Sequence, residues 1–411
     1  MMKFVFRNGI YTVLRPLYYL FKVFGLASYS YVADRRNKRV TTDYGYMNYM
    51  FTAVWLIVFT VGLPVEILTI YSSDFDSQTL FTAYILYYIS SYTSSIVAIV
   101  WISVIKRRKF LEIIENISEV DNKIRYTHQE ETYMNRKVMF NIISEIILLT
   151  VNQGTVITYS IYREASEPYY IIVIQIINYI PEICNILVLF QFVNLVFMMK
   201  QRYIHLNKRL TNWINGTVSR PTSSKKENER RSQSSKAVDH VIITPVCVSS
   251  VGNIGGTLKQ TDIRLLRQIY SDLHDITCLI NNTYGIPNLS TMCWMLTGIL
   301  CSLYEGLISF QTIGSMAVVY DVTISVLFFK VMFLCHTATN EASSTSILVQ
   351  KLLLEGNCRN ESIEELKMFS LQLQVMKNEY TACGFFSLNL GLFASVVSVI
   401  ASYTIIMVQM K

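Results

Sequence analysis

Hydrophobic and polar positions alternate along this chain on two length scales. On the long scale, seven stretches are apolar enough to cross a bilayer as helices: residues 48–70, 80–105, 138–161, 169–199, 289–311, 318–337 and 387–410. The fourth is longer than a bilayer requires, so it is expected to tilt or to continue beyond the membrane. On the short scale, Phe110, Ile113, Ile117, Val120 and Ile124 repeat at steps of three and four. The same beat returns at Leu266, Ile269, Leu273, Ile276 and Ile280, and again at Leu366, Phe369, Leu373, Met376 and Tyr380. Each set falls on one helical face, and three such faces predict a helical bundle outside the membrane, with a beat that also suits contact between subunits. Ser362 and Glu365 predict a capping box at the start of the last of these helices. Leu14 to Tyr31, rich in aromatics around Arg15 and Lys22, predicts a helix lying on the inner membrane surface.

Composition supports a membrane protein. With 52% hydrophobic and 16% charged residues over 411 positions, the chain is too apolar for an ordinary soluble domain. Lys and Arg then set the orientation. Eight lie before residue 48, eight in 106–137, thirteen in 200–288 and four in 338–386, whereas 71–79 and 312–317 hold none and 162–168 holds Arg163 alone. The positive-inside rule therefore predicts a cytoplasmic N-terminus, and seven crossings put the C-terminus outside, with Lys411 at the membrane edge. The net charge of +7 follows from this topology, so no nucleic-acid partner is expected.

The expected fold class is an all-α membrane protein of seven transmembrane helices with a cytoplasmic helical anchor bundle. Residues 1–47 form a cytoplasmic N-terminal segment, and 48–199 hold spans one to four with helical extensions near 106–137. A largely disordered cytoplasmic loop covers 200–260, cytoplasmic helices and spans five and six cover 261–386, and the seventh span covers 387–411. Arg7, Arg15 and Lys22 interrupt every early apolar run, which argues against a secretory signal. All eight cysteines fall in spans or on the cytoplasmic side, so structural disulfides are not expected. His128, His205, His240, His274 and His336 are widely spaced, and no metal-ligand or nucleophile spacing appears. An enzyme, a cofactor and a metal are not expected.

The seventh span carries the most specific pattern. Gly391, Ser395, Ser398, Ser402, Ile405 and Gln409 recur at steps of four, three, four, three and four, on one face of the helix. A small, polar stripe in a membrane helix has two readings: close packing against another helix, or a wetted pore lining. Its C-terminal end, Ser402-Tyr403-Thr404-Ile405-Ile406-Met407-Val408-Gln409-Met410, resembles the signature of insect gustatory receptors: Thr-Tyr, five hydrophobic residues, then Gln-Phe. Tyr403 and Gln409 match. Ser402 replaces Thr, Thr404 takes the first hydrophobic slot, and Met410 replaces Phe. Thr381 to Leu390 is similar to the same family.

That resemblance implies a ligand-gated, non-selective cation channel in the plasma membrane of chemosensory neurons. It also implies a homo- or heterotetramer with other gustatory receptor subunits, the last helix of each lining a central path gated by Gln409 and Met410. A small-molecule tastant would bind in each subunit among spans two to six. The residues there, read by depth, offer Tyr88, Tyr92, Asn152, Thr155, Tyr159, Asn178, Glu182, Tyr304, Glu305 and Asp321. Aromatic faces with amides and carboxylates suit a small polar or amphipathic molecule; interface tyrosines and interhelical hydrogen bonds explain the same residues individually. Glu182 and Lys330 lie at similar depth and are expected to form an ion pair. A G-protein-coupled chemoreceptor would need the opposite orientation, and a transporter would be expected to show an internal repeat of spans.

Overall fold

The structure, a computed structural model, describes residues 5–34, 39–43, 46–72, 78–163, 177–218, 260–308, 314–355 and 360–409. Each expected span contains a helix where it is described, although the seventh starts at Leu390 rather than 387. The first two helices within the apolar layer are α2 (Tyr46–Ser72) and α3 (Gln78–Ile99), preceded by a short α1 (Asn8–Val23). A π-helical turn, Val100–Ile105, extends α3 and leads into α4 (Arg107–Ile124). Then follow α5 (His128–Arg163), α6 (Ile180–Val218), α7 (Gln260–Ile308), α8 (Gly314–Glu355), α9 (Asn360–Val375) and α10 (Leu390–Gln409). Strands β1 (Val5–Arg7), β2 (Ser30–Asp34) and β3 (Arg39–Asp43) form an antiparallel sheet in the order β1-β3-β2.

Helices α2, α3, α5, α6, α7 and α8 are each long and apolar enough to span a membrane, and α10 carries a shorter apolar stretch, Leu390–Ile406. Four of them run much further than a bilayer. α7 has 49 residues, about 70 Å at 1.5 Å per residue, against a hydrocarbon core of roughly 30 Å. α6 shows why the fourth apolar stretch is so long. Its membrane half carries apolar residues on every side around the buried Asn185, Gln191 and Asn194, and from Ile186 to Val196 its apolar side chains are fully enclosed. It is the central post of the fold, and its second half continues into the bundle of amphipathic helices through the buried Tyr203, Leu206, Leu210 and Ile214.

The amphipathic stripes converge there. All five apolar residues of the α4 stripe are buried, as are all five of the α7 stripe. α9 buries Leu366, Phe369 and Leu373 against α7 and α8. Tyr380 is buried too, but beyond the helix, which stops at Val375. Charged pairs tie the bundle: Lys123 to Asp272 at 2.9 Å, and the enclosed Arg202 to Asp121 at 2.6 Å. α9 begins at Asn360, two residues before Ser362. The Glu365 carboxylate does not turn back to the helix start. It accepts from Arg264 at 2.7 Å and from Gln260 at 3.5 Å, so the expected capping box is replaced by a link to α7.

The N-terminal helix also departs from expectation. Ile10, Val13, Leu14, Leu17 and Phe21 of α1 are buried against the protein, beside Met134 and Val138 of α5 and Leu195 and Met198 of α6. The helix ends at Val23 rather than near Tyr31, and Gly25 turns the chain with φ +71°. The Gly25 carbonyl accepts from Thr52 Oγ1 at 3.0 Å and Ser103 Oγ at 2.8 Å. An amphipathic stripe records only that one face avoids water; neighbouring helices cover it here.

Pro287 lies inside α7, where its missing N–H orphans the carbonyl of Thr283 four residues back. Trp101 Nε1, in the π-helical turn, donates to that carbonyl at 3.0 Å. The break in one helix is thus repaired from the next, which holds α3 to α7.

Candidate functional site

At the end of the membrane helices away from the amphipathic bundle, α2, α3 and α6 bring polar side chains together. Tyr92 Oη donates to Asn178 Oδ1 at 3.0 Å, just before α6, and Asn178 Nδ2 donates to Glu66 of α2. Tyr88 lies beside Glu66. Tyr87 donates to Glu182 at the start of α6. Tyr92, Asn178, Glu182 and Glu66 are all buried. Below them Ser95 donates to the Pro181 carbonyl at 2.7 Å, and Asn185 donates to the Ser91 carbonyl at 3.1 Å. Small residues make the fit possible. A Cβ on Gly62 would lie 3.0 Å from the Tyr92 ring, and one on Gly298 of α7 would lie 3.2 Å from the Tyr87 ring.

Four of the ten residues expected to contact ligand, Tyr88, Tyr92, Asn178 and Glu182, therefore converge. Glu66 and Tyr87 join them without having been singled out; a carboxylate inside the otherwise apolar first span was the available signal for Glu66. Asn152, on α5, is buried, and neither amide atom has a hydrogen-bond partner among the described residues. Thr155 Oγ1 donates to the Asn152 carbonyl of its own helix at 2.8 Å. Tyr304 is half-buried on α7. The side chains of Tyr159, Glu305 and Asp321, and the whole of Met410, lie outside the described residues.

Deeper in the bundle, the expected Glu182–Lys330 pair does not form. Lys330 of α8 meets Glu145 of α5 at 2.7 Å. Glu145 is fully enclosed and also accepts from Asn141 at 2.9 Å and from Asn194 of α6 at 2.5 Å. Depth along the chain does not reveal which neighbour a side chain faces, and Glu182 faces α3 instead. This network joins α5, α6 and α8. Next to Lys330 in the chain, Phe329 meets the Phe393 ring of α10 edge-on and Phe328 meets it tilted, with ring centroids 5.3 and 5.9 Å apart.

α10 touches the rest of the chain along one side. Leu392, Phe393, Val396 and Ile400 pack against the core, and Thr404 is half-buried. Gly391, Ser395, Ser398, Ser402, Ile405 and Gln409 are all exposed. At 3.6 residues per turn the two sets lie about 180° apart on the helix. The exposed stripe therefore faces away from the rest of the chain. Ser395, Ser398 and Ser402 each donate to the carbonyl four residues back, at 3.0, 3.0 and 2.9 Å, leaving the oxygen lone pairs to the outside. Asn389 Oδ1 caps the helix by accepting from the Leu392 N–H at 2.9 Å.

The comparisons with known proteins agree with this architecture. An insect olfactory receptor, OR5 from Machilis hrabei, solved in complex with eugenol, superposes with a TM-score of 0.70 at 11% identity, over 98% of this chain and 100% of that one. Another structure of OR5 gives a TM-score of 0.70 at 12% identity, over 98% and 99% of the two chains. At such low identity the likeness establishes the fold. No protein among the curated ones matches. The family described as 7tm chemosensory receptor matches residues 14–411, nearly the whole sequence. The chain belongs to that family of chemosensory receptors.

Proposed function

We propose that this receptor is a ligand-gated, non-selective cation channel of the gustatory branch, in which four subunits place α10 around a central pore. The observation that carries the reading is the geometry of α10. Its apolar side docks on its own subunit, and its small and polar stripe points the opposite way. One helix cannot enclose a path, so that stripe needs other copies around it. Large apolar side chains left exposed below the membrane support assembly, among them Leu354 at 87%, Val375 at 83% and Phe385 at 77%. The C-terminal motif favours the gustatory branch.

A small organic tastant enters from the outer side and binds among α3, α5, α6, α7 and α8, where Tyr88, Asn152, Asn178 and Glu182 supply ring faces, amides and a carboxylate. The relatives' eugenol complex supports a small organic ligand as the class. Ligand opens the pore only if it binds the open arrangement more tightly than the closed one. Movement of α7 then draws α10 from the axis, and Gln409 with Met410 forms the outer gate. The N-terminus is cytoplasmic and the C-terminus extracellular, in the plasma membrane of chemosensory neurons.

Cysteines at Ser398, Ser402 and Gln409 test this directly. A water-soluble thiol reagent is expected to react with them and block tastant-evoked current. Reaction at Val399 and Ile400 instead would refute the pore assignment. An epitope after Lys411 is expected to stain intact cells; staining only after permeabilisation, with surface delivery verified, would overturn the orientation.

A further inference from the structure

The segment that joins α9 to α10 is held by one stripe of α7, and we infer that Asn281 and Gly285 are the positioning residues that set the register of the pore helix. The inference deepens the channel reading above and rests on it. Tyr270, His274, Asn281 and Gly285 recur along α7 at steps of four, seven and four, so they share one face. Each meets the same short stretch of chain. Asn378 Nδ2 donates to Tyr270 Oη at 2.8 Å, and its Oδ1 lies 3.1 Å from His274 Nδ1. Asn281 then binds the backbone as another strand would: its Nδ2 donates to the Glu379 carbonyl at 2.7 Å, and its Oδ1 accepts from the Thr381 N–H at 3.1 Å.

Directly beyond, the chain makes a tight hairpin. β4 (Thr381–Ala382) pairs with β5 (Phe386–Ser387), and Cys383 and Gly384 turn with φ of +53° and +74°. The loop is three residues long, Cys383 to Phe385, with the Phe385 N–H donating to the Ala382 carbonyl at 3.0 Å, and positive φ at its first two residues is a conformation that glycine and asparagine usually fill. A cysteine there is strained, and such strain persists only where the surroundings impose it. Gly285 is what the turn leans on. A Cβ at that position would lie 3.0 Å from the Cys383 nitrogen and 3.3 Å from its Cα. Only glycine admits this approach of backbone to helix. The Leu388 N–H closes the unit by donating to the Tyr380 carbonyl at 2.8 Å, and α10 starts two residues later.

The same helix reaches the outer cluster. Gly298 seats the Tyr87 ring, and Thr297 Oγ1 lies 2.6 Å from Ser90 Oγ of α3. Gly285 and Gly298 stand thirteen residues apart, about 20 Å along α7. A displacement of α7 at the Tyr87 contact is therefore delivered to the hairpin, and the clamp turns it into a rotation or shift of α10.

Two measurements on the full-length receptor test the clamp. In Asn281→Leu, both side-chain hydrogen bonds to the 376–389 segment are lost, and amide exchange there is expected to accelerate by about thirtyfold, from two bonds of ordinary strength. Asn282→Leu is the control, because Asn282 faces the other way and accepts from Lys106 at 3.2 Å. In membrane fragments open to a charged thiol reagent from both sides, Ser398→Cys is expected to label in preference to Val399→Cys. Asn281→Leu and Gly285→Ala should each collapse that preference, and Asn282→Leu should leave it. Should Asn281→Leu fail to reach the membrane, Gly285→Ala decides by both readouts. Unchanged exchange overturns the clamp, and faster exchange with an unchanged labelling pattern overturns its positioning role. If the unsubstituted background shows no preference for position 398, the channel reading falls, and exchange still decides whether Asn281 holds the segment.

Discussion

Lys330→Met is the perturbation whose cost the structure defines most sharply. The substitution removes the cation 2.7 Å from Glu145 and leaves that carboxylate fully enclosed with only amide donors, Asn141 and Asn194. Breaking a buried pair from one side costs about 3–5 kcal/mol, because the remaining charge has lost both water and partner. The reverse substitution is milder. Lys330 is 29% exposed on a long flexible stem, so after Glu145→Gln its ammonium can move toward a wetter position, at a cost of roughly 1–2 kcal/mol. The amide introduced by that change keeps an acceptor for one of the two asparagines, which bind different carboxylate oxygens. The double substitution removes both charges and should recover to within about 1–2 kcal/mol of the unaltered protein. Apparent melting temperatures of the detergent-solubilised receptor, read by size exclusion after heating, give the order. Lys330→Met should be lowest, with Glu145→Gln and the double variant both above it. A double variant less stable than Lys330→Met, or a harmless Lys330→Met, would refute the reasoning. The consequence reaches α10, since Phe328 and Phe329 beside Lys330 meet the Phe393 ring.

Further outcomes are open to the same thermal assay. Trp101→Phe should cost about 1–3 kcal/mol by abandoning the Thr283 carbonyl, and adding Pro287→Ala, which restores the helical N–H, should recover most of it; no recovery would mean that the indole acts through packing alone. Gly62→Ala should destabilise by about 1–3 kcal/mol through its 3.0 Å approach to Tyr92, whereas Gly154→Ala, which meets nothing within 4 Å, should be neutral or gain up to about 1 kcal/mol. Glu365, outside the membrane, is held below the ordinary carboxylate range by the Arg264 hydrogen bonds. Its contribution is therefore present above the unfolded carboxylate pKa, about 4.3, and is lost only as pH falls through the lower folded value. Glu365→Gln should cost less than about 1 kcal/mol at pH 7, since Arg264 is largely exposed, and the difference from the unaltered protein should vanish in acid; a difference that persists there would refute the ion-pair origin.

How much of this was legible beforehand depends on range. Periodicity is local, and local patterns survived. Each of the seven apolar stretches forms a helix where described, the last from Leu390 rather than 387, the stripes of α4 and α7 are buried residue for residue, and five small or polar positions of the last span share an exposed face with Ile405. An apolar face must be covered and a membrane backbone must satisfy its own hydrogen bonds, so spacing alone dictates these outcomes. Which neighbour does the covering is another matter. The face of α1 is covered by α5 and α6 rather than lipid. Lys330 chose Glu145, 185 residues away, over a carboxylate at similar depth. Glu365 chose Arg264 over its own helix start. Asn281 and Gly285 carry no signal in the sequence, since an asparagine and a glycine on a helix look ordinary until another backbone lies against them. Side-chain pairing across helices is set by rotation and depth of packing, and the tertiary structure alone decides those.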